Sequence, residues 1–394
     1  MGTRLAVLVV LAASAASGCA RRECVPEAIS SKRNLIDLGA APDSHVNADP
    51  AVIRSVEAEF RRRIAAKQPD GKPYSFLALS GGGMYGAFGV GVLSGWTDTG
   101  ERPDFDVVTG ISTGGLIATY AFLGSSYDER LKANMLGVQR RDILRTRSLI
   151  RIPFADAIYT SWPLARLIEK EITPAILAEV AAAHASGRRL YIGTSNIDTH
   201  RLVIWDMGAI ASRGDCEALE LYRKIVLASS SIPGVFPPVR IKIQIDGTEY
   251  EELHVDGGVS DEVIFRAFMV ADLNRAVGRA GAEAPMGSTL YVVSNGKLYA
   301  DPNCTRPYLT NMVSASFRSI IYGKTRDELY RIYLNCLGAG VYFRLTAVPQ
   351  DLKLELKGGL ALTEQDQQLL YDEGYRVGVN TDRKSTRLNS SHSS

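Results

Sequence analysis

Asp106-Val107-Val108-Thr109-Gly110-Ile111-Ser112-Thr113-Gly114-Gly115 runs an apolar stretch straight into Gly-x-Ser-x-Gly. A chain that passes from strand to helix through so tight a turn strains its backbone at the serine. Glycine two residues to either side removes Cβ atoms that would clash, and the serine side chain is left exposed at the apex. The motif demands a helix next, and Leu116–Leu123 (LIATYAFL) supplies one. Ser112 is therefore the candidate nucleophile.

About thirty residues upstream a second apolar strand, Phe76–Ser80, ends in Gly81-Gly82-Gly83-Met84-Tyr85-Gly86. Consecutive glycines let several backbone N–H groups converge on one concave site, and a helix opening at Met84 adds its positive end. Such a nest, Gly81 to Gly83, suits a developing oxyanion. The rival reading is a nucleotide loop, but neither Gly-x-Gly-x-x-Gly nor Gly-x-x-x-x-Gly-Lys-Ser/Thr fits here. The paired glycine-rich strand ends favour acyl transfer.

A serine nucleophile needs a base. The five histidines, His45, His184, His200, His254 and His392, carry no signature around them. Asp256 follows the strand-like Glu249–Leu253 and precedes Gly257-Gly258, which permit a sharp turn and a close approach to the serine. A Ser112–Asp256 dyad is the economical reading, and a plain Asp-Gly-Gly turn is the alternative.

Gly81–Gly86, Gly110–Gly114, the segment Ala228-Ser229-Ser230-Ser231-Ile232-Pro233-Gly234-Val235-Phe236-Pro237-Pro238, and Asp256-Gly257-Gly258 together resemble the ordered motif set of the patatin-like phospholipases. Order and spacing agree from about Tyr74 to Tyr375. The resemblance implies a Ser-Asp dyad acyl hydrolase acting on lipid esters, with Ser112 as nucleophile, Asp256 as base, the glycine loop as oxyanion hole, and no cofactor. The family usually carries Arg or Lys where this chain has Tyr85, a position suited to holding a phosphate.

Strands and helices alternate through residues 74–381. The pattern places strands at Leu190–Ser195, Arg201–Trp205, Thr289–Ser294 and Val341–Val348, and a hairpin of Val239–Gln244 with Thr248–Val255 around Asp246-Gly247. Helices are expected at Tyr127–Leu144, Leu164–Ala185, Glu217–Leu227, Tyr308–Leu334 and Thr363–Val377. This is an α/β fold with a largely parallel central sheet and helices on both faces. Asn196 and Asp198 fall just past a strand end, where a polar cap is the expected role. Ile152, Phe154, Tyr159 and Trp162, near Arg147 and Arg151, suit either a lipid-facing surface or a packed loop.

Residues 1–18 have the form of a secretion signal, with Arg4 before the apolar run Leu5–Leu11. Ala16-Ser17-Gly18-Cys19 resembles a bacterial lipoprotein cleavage box, so Cys19 is expected to become a lipidated N-terminus that holds the protein on a membrane facing the periplasm. Ordinary cleavage with a free Cys19 is the alternative. Residues 19–73 read as a tether followed by one helix near Asp49–Lys67. Residues 382–394 resemble a sequencing adapter read in frame and are expected to be foreign to the fold.

The formal charge of +2 owes its sign to Arg4 and to that terminal stretch, so the body is slightly negative. Nucleic acid is not an expected partner. Cys24, Cys216, Cys304 and Cys336 permit three disulfide pairings, and no Cys/His cluster has zinc spacing. A catalytically silent lipid-binding lipoprotein, and an acyltransferase using the same dyad, are the competing functions.

Overall fold

The structure is a computed structural model that describes residues 36–37, 71–137, 143–146, 156–300, 308–354 and 362–380. The signal segment, Cys19, the tether with its helix at 49–67, and the terminal stretch from Asp382 lie outside these residues. So do His45, His392, Cys24, Cys304, Arg147, Arg151, Ile152 and Phe154.

Eleven strands are described: β1 (Ile36–Asp37), β2 (Ser75–Leu79), β3 (Val107–Ile111), β4 (Arg145–Thr146), β5 (Tyr159–Thr160), β6 (Arg189–Asn196), β7 (Arg201–Asp206), β8 (Val239–Ile245), β9 (Thr248–Asp256), β10 (Thr289–Ser294) and β11 (Tyr342–Ala347). The central sheet runs β1-β7-β6-β3-β2-β10-β11, and the β8–β9 hairpin joins through β9 to β6. Strands β6, β3, β2, β10 and β11 are mutually parallel, whereas β7 and β9 pair antiparallel to β6. The hairpin turns at Asp246-Gly247, both at positive φ, as its sequence requires.

Ten α-helices are described around the sheet: α1 (Gly86–Asp98), α2 (Thr113–Leu123), α3 (Asp128–Leu136), α4 (Trp162–Glu171), α5 (Pro174–Ala185), α6 (Met207–Ala211), α7 (Cys216–Ser229), α8 (Ala267–Ala276), α9 (Leu309–Ala339) and α10 (Glu364–Val379). Alternate residues of the central strands point to opposite faces, and both faces are buried. Leu77 and Leu79 of β2 join Phe88, Ile117, Tyr222 and Leu370 in one core, while Phe76 and Ala78 join Met269, Leu273, Leu329 and Ile332 in the other. Helices α1 and α10 approach so closely that Gly91 and Gly95 lie on the backbone of Tyr371 and Tyr375.

The expected α/β architecture is the one found, with one helix corrected. Leu164–Ala185 is two helices, because Pro174 lacks an amide hydrogen and pushes Thr173 into an extended conformation. Thr173 then caps the second helix by accepting from the Ile176 N–H at 3.3 Å. Cys216 is exposed, Cys336 is buried, and both are free thiols.

Candidate active site

Strand β6 assembles the site through its register. Its Gly193 pairs with Ile111 of β3, and the next residue, Thr194, pairs with Asp256 of β9. β3 ends at Ile111, and β9 takes its place along β6. The residue that follows Ile111 is Ser112, so two segments 144 positions apart in sequence meet at one strand end.

Ser112 has φ 53° and ψ −125°, a conformation that non-glycine residues adopt only where the surroundings impose it. What imposes it is on either side. Ser112 N–H donates to Ser229 Oγ at 2.9 Å, and that hydroxyl donates to Gly193 O at 2.7 Å. A Cβ on Gly114 would stand 2.3 Å from Leu79 O, so only glycine lets the new helix start against β2. Ser112 is buried, and its hydroxyl lies close enough to the Asp256 carboxylate to favour that group's charged form.

Asp256 is itself 5% exposed. Burial raises its pKa to about 6, against the opposing pull of the nearby Ser112 hydroxyl, the Gly258 N–H at 2.8 Å and the Lys324 charge. Asp256 N–H donates to Ser231 O at 2.9 Å. The Ser229–Ser231 segment therefore holds the backbones of both members of the pair. Its part in the sequence was legible as a motif but not as a brace.

The glycine loop lies alongside. Thr113 Oγ1 donates to Gly83 O at 2.7 Å and ties it to the serine turn. Ser80 and Asn295 clamp its base: Asn295 N–H donates to Ser80 Oγ at 2.7 Å, and Asn295 Nδ2 to Ser80 O at 2.9 Å. Gly82 has φ 150° and packs so tightly on Asn295 that a Cβ would fall 1.8 Å from the Asn295 carbonyl oxygen. The three expected oxyanion donors are not equivalent. Gly81 N–H is already donated to Glu262 O at 3.2 Å, whereas Gly82 and Gly83 have no acceptor for theirs among the described residues.

Two further carboxyl groups stand beside the pair. Glu262 lies against Gly81 and Gly258, and burial together with the Asp256 charge raises its pKa to about 7. Glu328 of α9 accepts from the N–H groups of Glu262 at 2.6 Å and Val263 at 3.2 Å, and its burial also raises it. Lys324 Nζ donates to Gly258 O at 2.9 Å and Val259 O at 3.0 Å. None of these three carried a local sequence signal: Glu262 lies in an ordinary loop after Asp256, and α9, which bears Lys324 and Glu328, reaches the site only through the tertiary fold.

The histidines stand apart from this chemistry. His254 is buried with Nδ1 on Thr194 Oγ1 at 2.9 Å and Nε2 on Glu252 Oε2 at 3.1 Å. His184 sits beside Asp206 and His200 is exposed on a turn. Asn196 and Asp198 form the expected cap, the Asn196 Oδ1 accepting from Asp198 N–H and Thr199 N–H. Tyr85 is half-buried against the core beside the glycine loop. Trp162 is exposed at the start of α4.

Residues 77–269, which hold the serine turn, the glycine loop and Asp256, match the family model of the patatin-like phospholipases. The chain carries a patatin-like phospholipase domain. No curated protein matches the chain. Among solved structures it is similar to VipD from Legionella pneumophila, at 12% identity and a TM-score of 0.38 over 79% of this chain and 67% of that one. It is also similar to the type III effector protein ExoU, at 15% identity and a TM-score of 0.22 over 78% of this chain and 52% of that one. The chain thus spans about half of the length of ExoU. Within the patatin-like domain, the matched span ends at Met269, so Glu328 and Lys324 are contributed from beyond it.

Proposed function

We propose that the protein is a lipid acyl hydrolase working through a Ser112–Asp256 dyad. The observation that carries this reading is the register on β6, which brings Ser112, held at a strained turn, to a buried carboxylate whose pKa is raised to about 6. A carboxylate at its ordinary value is a poor base at neutral pH; burial brings this one close to the range where it takes and returns a proton.

In the proposed reaction Ser112 Oγ attacks the ester carbonyl carbon while its proton passes to Asp256. The carbonyl oxygen becomes an oxyanion, received by the N–H groups of Gly82 and Gly83. Collapse of the tetrahedral intermediate breaks the ester C–O bond, and Asp256 returns the proton to the departing alcohol. Water, losing a proton to Asp256, then attacks the acyl-serine; as the bond to Ser112 Oγ breaks and the carboxylic acid leaves, Asp256 returns that proton to the serine oxygen. The family supports a lipid ester as substrate.

The test is turnover of phospholipid and of a soluble acyl ester by the parent and by Ser112→Ala, with products identified by mass. Release of free fatty acid by the parent alone supports the reading; equal release by the mutant sinks it. Attachment to the cell envelope through a lipidated Cys19 belongs to the same proposal. It requires labelled fatty acid to enter the parent protein and not Cys19→Ser.

A further inference from the structure

Helix α9 changes character along its length. From Thr325 onward it buries Leu329, Ile332 and Cys336 in the second core. Its first three turns instead leave Leu309, Met312, Val313, Phe317, Ile320 and Ile321 in solvent, Leu309 by 80%, Phe317 by 63% and Ile320 by 62%. Residues three and four apart share a helix face, so these six form one continuous apolar stripe. Soluble proteins rarely expose so many large apolar side chains side by side.

The stripe leads to the active site. Val313, Phe317, Ile320 and Ile321, Lys324 and Glu328 recur at three- and four-residue steps. The last two touch the segment Gly258–Val263 that follows Asp256. Val259, on that segment, is 47% exposed, and Ile232, beside the Ser231 brace, is 38% exposed. Exposed apolar side chains therefore stand both on the segment next to Asp256 and along the outer part of the helix that touches it.

The charge on this stretch has one sign. Between Tyr308 and Arg326 there is no Asp or Glu; of the three cations Lys324 is turned to Gly258, Val259 and Glu328, which leaves exposed Arg318 and half-buried Arg326 for the surface. Tyr308 is exposed at the helix start, and the exposed ring of Tyr299 lies under the Arg326 guanidinium. Apolar face, cationic residues and exposed aromatic rings together match an anionic phospholipid surface. Among the described residues no helix is long and apolar enough to cross a membrane, so α9 would lie along the surface.

We infer that the exposed first half of α9 is a docking face for a phospholipid bilayer with anionic headgroups, placing the mouth of the Ser112 site against the acyl-ester layer. The inference gives the proposed lipid hydrolase its substrate surface and rests on that reading only for its purpose; docking itself needs no turnover. No covalent step is involved.

The experiment uses the full chain with Cys19→Ser, so that no lipid anchor attaches, and with Ser112→Ala, so that vesicles are not consumed. Cosedimentation is measured with phosphatidylcholine vesicles and with vesicles that also contain phosphatidylglycerol, at low and high salt. The same protein carrying Phe317→Asp with Ile320→Asp is run in parallel. Both positions are exposed, so folding is expected to persist and is checked by melting. Stronger binding to the mixed vesicles, weakened by salt and reduced about tenfold or more by the double substitution, is the expected result. In the Ser112 background the double substitution should leave kcat/KM on a soluble short-chain ester unchanged. Absent vesicle binding, or binding that the double substitution leaves intact, overturns the inference. A dimer that the substitution turns into monomer, without vesicle binding, assigns the face to a second copy instead. Failure to hydrolyse the soluble ester would count against the hydrolase reading while leaving the docking result standing.

Discussion

Ser112 lies between two walls of opposite character. One, the glycine loop, offers N–H groups and no charge; the other, Asp256, Glu262 and Glu328, crowds three carboxyl groups into a largely buried space that reaches Gly81 itself. The donor wall is rigid because the clamp of Ser80 and Asn295 leaves it no room. The acid wall is costly because burial resists ionisation, and all three carboxyls are raised. In the proposed reaction one wall receives negative charge and the other takes a proton.

The comparison breaks most visibly at Asp256. Asp256→Asn keeps the shape and removes the base, so kcat should fall about 1,000-fold or more. Stability should move the other way. A carboxyl raised from 3.8 to about 6 binds its proton more tightly in the folded state, so stability falls as pH rises through that window. The full cost, roughly 3 kcal/mol at 1.36 kcal/mol per unit, is present above it. Denaturant melts near pH 8 should show the mutant more stable by roughly 1–3 kcal/mol, with little difference below pH 4. Equal stability at both pH values would mean that the carboxylate is not desolvated.

On the donor wall, Gly82→Ala puts a methyl group into the Asn295 carbonyl and should cost about 100-fold in kcat, as loss of an oxyanion donor does. Gly83→Ala meets open space at φ 56° and should cost only about 1–2 kcal/mol of stability. If the two mutants lose activity alike, the loop is not a directed donor site.

Glu262 sharpens the contrast through pH. Activity on a soluble ester should rise with an apparent pKa near 6 as Asp256 ionises. It should then fall as Glu262, near 7, places a second negative charge beside Gly81 and the oxyanion. Glu262→Gln should keep the rise and flatten the fall, raising the rate near pH 8 a fewfold. A smaller effect is expected at Tyr85: Tyr85→Arg should raise the ratio of phospholipid to neutral-ester turnover by up to about tenfold, or roughly 1.4 kcal/mol. An unchanged ratio would place residue 85 away from the headgroup.

The donor wall was far more legible in sequence than the acid wall. The glycines of the loop and of the serine turn announce themselves because Gly82 and Gly83 take positive φ and Gly81, Gly86, Gly110 and Gly114 leave no room for a Cβ, and the apolar runs β2, β3 and β6 announce a sheet buried on both faces. What the pattern could not show was occupancy, since the hydrogen bond from Gly81 to Glu262 O joins residues 181 positions apart. Glu262, Glu328 and Lys324 look like ordinary charged positions until the fold places them beside Asp256. The break at Thr173 was readable from Pro174, but the apolar spacing on both sides masked it.

Covalent trapping tests the dyad most directly. The protein is treated with a reactive organophosphonate across pH, and the intact mass and modified peptide are followed. The account predicts one adduct, on Ser112, forming with a rate that rises through pH 6 and slows at least 100-fold in Asp256→Asn. An adduct on another serine, or a rate indifferent to Asp256, would contradict it.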